Sequence, residues 1–271
     1  LSLTYPYSIE EVEMKFQTFD IVAGSMACNA RCPFCISKMT LPLGVTPREP
    51  EVNWRNFKKA CRLAEKSGVT TVLITSKGEP TLFPAQISRF LSEMEEFNFP
   101  LIELQTNGIR IADDKEGFSP ILEAWHRRGM TTIAVSIVHW QPEKNREIYM
   151  PYRDLYIDLP ELIRFLHVHG LSVRLSCVMA NGFVDSKQNL HELISFAKEN
   201  LVEQLTVTPV NKPDSELSQN KEAWDWTNKH HLQTAQLSEI IEYVGHRGTL
   251  LWTLIHGAEV YDIDGQNLCL N

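Results

Sequence analysis

PLIELQTNGIRIADDKEGFSPILEAWHRRGMTTIAVSIV, residues 100–138, reads as strand, helix, strand. Two runs rich in β-branched residues, PLIELQT (100–106) and TTIAVSIV (131–138), bracket an amphipathic stretch at 117–129 that stops at a glycine. The same alternation extends outward in both directions. Strand-like runs occur at FDIVAGS (19–25), TTVLITS (70–76), LSVRLSCVM (171–179) and EQLTVTPV (203–210), with helical patterns near 53–67, 84–97, 158–169 and 186–200. Six such units imply a parallel sheet with helices outside. The expected fold class is α/β, a partial (β/α)6 TIM-like barrel with parallel strands.

After residue 210 the pattern changes. A helix near 232–246 precedes a strand-like LLWTLIH (250–256) and EVYDIDGQNLCL, whose Asp264-Gly265 pair reads as a hairpin turn. No linker composition separates this tail, so it is expected to be a C-terminal helix and hairpin cap (211–271) on one domain spanning 1–271, with the barrel core at 19–210. The 271 residues, 43% hydrophobic and 22% charged, suit one large core. A formal net charge of −8 offers no basic footprint for nucleic acid. No apolar run reaches the length of a membrane span and the first residues lack a signal-peptide pattern, so a cytoplasmic location without membrane partners is expected.

Strand parity carries the reading into the interior, because alternate residues face opposite sides of a strand. Glu103, Gln105 and Asn107 share one face and Arg174 and Ser176 another, while Val173, Leu175 and Cys177 oppose the latter. The apolar faces meet the helices, which leaves polar faces to line a cavity for a polar ligand.

Six cysteines stand at 28, 32, 35, 61, 177 and 269, three of them within eight residues. Cys28-Asn-Ala-Arg-Cys32-Pro-Phe-Cys35 follows the first strand, so three thiols share one loop at the barrel mouth. A structural zinc site needs four ligands, and no fourth Cys or His lies at the usual spacing. Three thiolates on an iron–sulfur cubane would leave one iron open. Cys61 and Cys177 read as packing.

The C-x3-C-x2-C spacing, with Phe34 before the last cysteine, resembles the signature of the radical S-adenosylmethionine (SAM) superfamily. Gly78-Glu79-Pro80, Gln105-Thr106-Asn107-Gly108, Ser136, and Arg174 with Ser176 follow in the order that resemblance requires, over roughly residues 19–210. The resemblance implies a [4Fe–4S] cluster on Cys28, Cys32 and Cys35, and SAM bound at the open iron. Gly78, Glu79 and Pro80 would receive the methionine amino group and Arg174 its carboxylate. Ser136 would meet a ribose hydroxyl or that carboxylate, with Asn107 nearby; Phe34 would lie along the adenine, read by backbone near Val207. Lys77 stands where many relatives carry a second glycine. Cys269 would donate hydrogen to a substrate radical, as in family epimerases.

The stretch from 131 to 210 further resembles the branch typified by the molybdenum-cofactor GTP cyclase, yet where that branch carries a second, three-cysteine cluster near its C-terminus this sequence has only Cys269. The implied activity is reductive cleavage of SAM to a 5′-deoxyadenosyl radical that abstracts hydrogen from a small substrate, a nucleotide or sugar derivative. Lys38, Arg110 and His139 would form a cationic rim suited to an anionic one. An electron donor such as flavodoxin or ferredoxin is the implied partner. Two alternatives stand beside this: radical SAM modification of a peptide or tRNA, and a non-enzymatic iron–sulfur or zinc module.

Overall fold

The computed structural model describes residues 16–40, 45–211 and 220–271. The chain runs β1 (Thr18–Val22), α1 (Ile36–Met39), α2 (Trp54–Lys66), β2 (Thr71–Thr75), a 3₁₀ turn (Pro80–Leu82), α3 (Pro84–Met94), β3 (Leu101–Thr106), α4 (Ile109–Asp113), α5 (Lys115–Arg127) and β4 (Thr132–Ile137). It continues through α6 (Pro142–Tyr149), α7 (Leu159–Val168), β5 (Ser172–Met179), α8 (Lys187–Glu199), β6 (Gln204–Pro209), α9 (Lys221–His230), α10 (Thr234–Arg247), β7 (Thr249–Thr253), β8 (Glu259–Ile263) and β9 (Gln266–Leu270).

All nine described strands join one sheet in the order β1-β2-β3-β4-β5-β6-β9-β8-β7. The first six are parallel to their neighbours, as the alternating strand and helix pattern requires. The sheet curves as a partial barrel and does not close, leaving β1 and β7 as its edges. The C-terminal segment enters the sheet: β9 pairs parallel with β6, and β8 and β7 follow antiparallel. The turn between β8 and β9 is the expected Asp264-Gly265, with φ of 54° and 84°, the left-handed pair that a two-residue hairpin needs.

The helix-facing residues of the strands form the core. Val72, Ile74, Leu104, Ile133, Val135, Val173, Leu175, Cys177, Leu205 and Val207 are buried there, together with Cys61 from α2. Each fully buried Val, Leu or Ile contributes about 1.5–3 kcal/mol relative to exposure. Helix starts are fixed by Asn53, Asp114, Asp158 and Ser186, whose side chains accept from backbone N–H groups of the first turn. α1, α4, α6 and α9 have no counterpart in the sequence reading. α4 has only five residues, and PEKNREIY in α6 is too polar to show an apolar stripe. No described helix is long and apolar enough to cross a membrane.

Candidate active site

The cysteine loop leaves β1 and is pressed against the loop after β2. Ala23 N–H donates to the Thr75 carbonyl at 2.7 Å, Ser76 Oγ to the Ser25 carbonyl at 3.2 Å, and Glu79 N–H to the Ala27 carbonyl at 2.8 Å. At Gly78 the two backbones meet so closely that a Cβ would lie 2.0 Å from the Ala27 oxygen. One glycine at this position is therefore a steric requirement of the cysteine loop, and Lys77 is compatible with it. Beyond Cys28 the loop is held by Arg31 N–H donating to the Tyr149 carbonyl at 3.0 Å and by Lys38 Nζ donating to the Cys32 carbonyl at 3.0 Å.

Glu79 ties the second and third strands together. Its Oε1 accepts from Thr81 N–H (3.0 Å), Thr81 Oγ1 (2.6 Å) and Thr106 Oγ1 (2.6 Å), and its Oε2 from Asn107 N–H (2.9 Å). Burial pushes this carboxyl up from its usual range, and the four donors pull it back. Asn107 lies just past β3, and its amide donates to Asn29 Oδ1 at 2.7 Å, within 4.0 Å of Cys28 Sγ. Glu79 thus acts as a structural latch whose carboxylate is already engaged by its own chain. Thr81, Thr106 and Tyr149 are parts of this site that the sequence reading did not single out. Thr106 is the last residue of β3, inside the QTNG stretch, and Tyr149 belongs to α6, whose polar sequence carries no apolar stripe.

These loops enclose a chamber of about 790 Å³ at the C-terminal ends of the strands, within the size range of small-ligand pockets. Of the expected residues, Cys28, Cys32, Phe34, Cys35, Gly78, Glu79, Pro80, Asn107 and Ser136 line it. Phe34 packs against Tyr149 edge-on and against Trp226 of α9, with ring centroids 6.5 and 5.4 Å apart. Arg174, Val207 and Cys269 are placed elsewhere. The Val207 side chain points into the core and its carbonyl accepts from Asn271 N–H at 3.0 Å, so its backbone is used by the sheet. The chamber wall on this side is Thr208, Pro209, Val210 and Asn211 instead.

Arg174 and Cys269 lie deeper, on the concave face. The Arg174 guanidinium donates to Glu103 Oε1 in a shielded ion pair. Cys269 stands in register with Thr206, which stands beside Ser176 and, through it, Ser136. The polar interior anticipated from strand parity is therefore present in space. The expected cationic rim is not assembled as proposed. Arg110 pairs with Asp114, and His139 is buried, its Nδ1 accepting from Gln141 N–H, with burial pulling its pKa down to about 4.

Burial raises the Cys32 thiol, and its neighbours Cys35 and Cys28 add to that shift. A bound metal reverses that preference by holding the thiolates. Among the described residues no three His, Cys, Asp or Glu side chains converge on a single-ion position. Three soft ligands spread along one wall of a large chamber fit a multi-iron cluster, one thiolate to each of three irons. The Radical SAM superfamily model matches residues 24–198. The chain belongs to the radical SAM superfamily.

Members use a [4Fe–4S] cluster and SAM, and radical SAM enzymes of known structure share this fold. SuiB of Streptococcus suis bound to its precursor peptide SuiA is 20% identical with a TM-score of 0.58, over 86% of this chain and 47% of SuiB. A radical SAM methyltransferase from Sphaerobacter thermophilus is 17% identical with a TM-score of 0.55, over 84% of this chain and 63% of that one. HemN of Escherichia coli, a coproporphyrinogen III oxidase, is 15% identical with a TM-score of 0.53, over 87% and 54%. The chain spans about half the length of SuiB. No curated protein sequence matches it.

Proposed function

We propose that this radical SAM enzyme abstracts a hydrogen atom from a small polar substrate, a nucleotide or sugar derivative, held in the barrel lumen. One observation carries the reading: the chamber that bears three thiols on its wall also contains Gln105 and Ser136, and so continues into the polar concave face of the sheet. The cluster and SAM supply the chemistry, a one-electron cleavage that yields a 5′-deoxyadenosyl radical. The chain supplies position and shielding.

Cys28, Cys32 and Cys35 would hold the cluster. The backbone carbonyls around Gly78 and Pro80 would receive the methionine amino group, with Glu79 holding that loop in place and Asn107 fixing the cysteine loop beside it. Ser136 would meet a ribose hydroxyl or the methionine carboxylate. Phe34 would lie along the adenine, whose edge would be read by backbone at Thr208–Asn211 in place of Val207. Arg174, engaged by Glu103, serves the substrate side better than the methionine carboxylate. Cys269, on the lumen face, is the candidate hydrogen donor. Residues 1–271 act as one cytoplasmic domain and take electrons from a flavodoxin or ferredoxin.

A second reading, modification of a peptide, is favoured by the open flank of the sheet, where Val22 of β1 is 51% exposed on the lumen side. The experiment that tests the leading proposal is anaerobic reconstitution. About four irons per chain, and 5′-deoxyadenosine formed on reduction, are expected. Cys32→Ala should lose both. Cleavage at the original rate in that variant would overturn the ligand assignment.

A further inference from the structure

The floor of the lumen contains hydrogen-bonding capacity that the protein leaves unused. A guanidinium has five N–H donors, and among the described residues Arg174 places one of them, on Glu103. Its Nε is buried without a partner, and so is the hydroxyl of Thr206, a residue 9% exposed that stands two positions along the neighbouring strand from Gln204, the register partner of Arg174. Glu103 Oε1 accepts from Arg174 and from Gln105 Nε2, and no described residue donates to Oε2. Ala134 explains how the pair forms. It separates Arg174 from Gln105 in the sheet register, and its lone methyl lets the guanidinium reach across β4 to Glu103 on β3.

Buried polar atoms without partners are uncommon because each forfeits its bonds to water. Two of the six such side-chain atoms among the described residues, Arg174 Nε and Thr206 Oγ1, stand on the adjacent strands β5 and β6, two positions before Ser176 and the chamber-lining Thr208. The donors are those of a cation, but the charge is already balanced by Glu103. An anion arriving at Arg174 would meet the carboxylate as well. A hydroxyl can accept from the guanidinium and donate to Glu103 Oε2 in the same site.

We propose that Glu103, Arg174 and Thr206 form a substrate subsite for a neutral hydroxyl-bearing group, such as the face of a sugar ring, and that this subsite selects against a second anion. The inference rests on the reading of the chamber above as the reaction site, and it names the part of the substrate that reaches deepest. Any anionic group of the substrate then lies toward the mouth.

Cys269 reports on this floor, because it is in register with Thr206 and within electrostatic reach of Arg174. The test is the rate at which iodoacetamide alkylates Cys269 in the cluster-loaded, SAM-bound enzyme, read by peptide mass spectrometry, with D-ribose or malonate added. D-ribose should slow labelling several-fold and malonate should leave it unchanged. In Glu103→Gln the floor carries an unbalanced cation, so the preference should invert and malonate should protect. Thr206→Val, which keeps the charge balance, should weaken protection by D-ribose without admitting malonate. Protection of the original protein by malonate, or by neither compound, would overturn the proposal. Reduction of the same samples, with 5′-deoxyadenosine as the readout, tests the parent reading separately. Its formation without ribose protection would remove the subsite alone.

Discussion

Gly78→Ala puts a methyl group into the contact between the cysteine loop and the loop after β2. The new carbon would sit 2.0 Å from the Ala27 oxygen, 2.7 Å from the Ala27 carbonyl carbon and 2.8 Å from the Met26 carbonyl carbon. Backbone atoms cannot rotate out of the way, so the loops must separate by about 1 Å to restore ordinary contact. The loop after β2 is fixed by the four hydrogen bonds on Glu79. The cysteine loop therefore moves, and the bond from Glu79 N–H to Ala27 is lost with it. Overpacking costs about 1–3 kcal/mol and the lost bond about 1 kcal/mol, giving roughly 2–4 kcal/mol in all. That corresponds to a melting point lower by about 5–15 °C in a chain of this size. A 1 Å displacement at a reaction centre costs on the order of 10²-fold in rate, so 5′-deoxyadenosine formation should fall by that factor even in molecules that retain iron. Gly245→Ala is the control, since it lies in α10 with nothing near its added carbon and should be neutral or slightly stabilising. A Gly78→Ala protein that melts, binds iron and cleaves SAM like the original would refute the reasoning.

Other outcomes follow from the same geometry. Glu79→Gln keeps an oxygen for the two threonines but turns an NH₂ toward Asn107 N–H, which should cost about 2–3 kcal/mol in urea denaturation; an unchanged midpoint would remove the latch. His139 is held neutral by burial with a pKa of about 4, so the unfolded chain takes up the proton first as pH falls below about 6.5. Stability should therefore decline between those values by on the order of 3 kcal/mol, and His139→Asn should flatten that part of the pH–stability curve. Trp125, fully buried with its Nε1 donating to Ser88 Oγ at 2.8 Å, should lose about 1–3 kcal/mol on replacement by Phe, which strands the serine and leaves a gap. Equal denaturation midpoints would show that the bond contributes nothing net.

The strands and the helices packed on them were legible because one face of each carries Val, Ile and Leu at the proper period. Six units, the hairpin turn and the helix at the C-terminal end all appear within a few residues of where the pattern put them. α6 was not legible, since its eight residues are polar on nearly every side, and with it went Tyr149. The cysteine loop was legible because three thiols in eight residues have few other uses. What the sequence cannot display is which strand residues become neighbours. Arg174 meets Glu103 only through the register across Ala134, and Val207 is withdrawn from the chamber by β9, a strand read beforehand as part of a cap. His139 looked like a rim charge because exposure is not written in a residue type. The stacking of its ring on Trp140, 3.8 Å between centroids, and the bond from Gln141 depend on the loop's conformation.

The unclosed sheet gives the lumen a covered centre and an open edge. On the central strands β4 and β6 the inward residues Ala134 and Thr206 are buried, while on the edge strand β1 the inward Asp20 and Val22 are exposed. On the proposed reading, a radical formed in the lumen would have buried protein on one side and the solvent-exposed β1 edge on the other. An enzyme of this shape should waste its radicals when turned over empty and conserve them when charged.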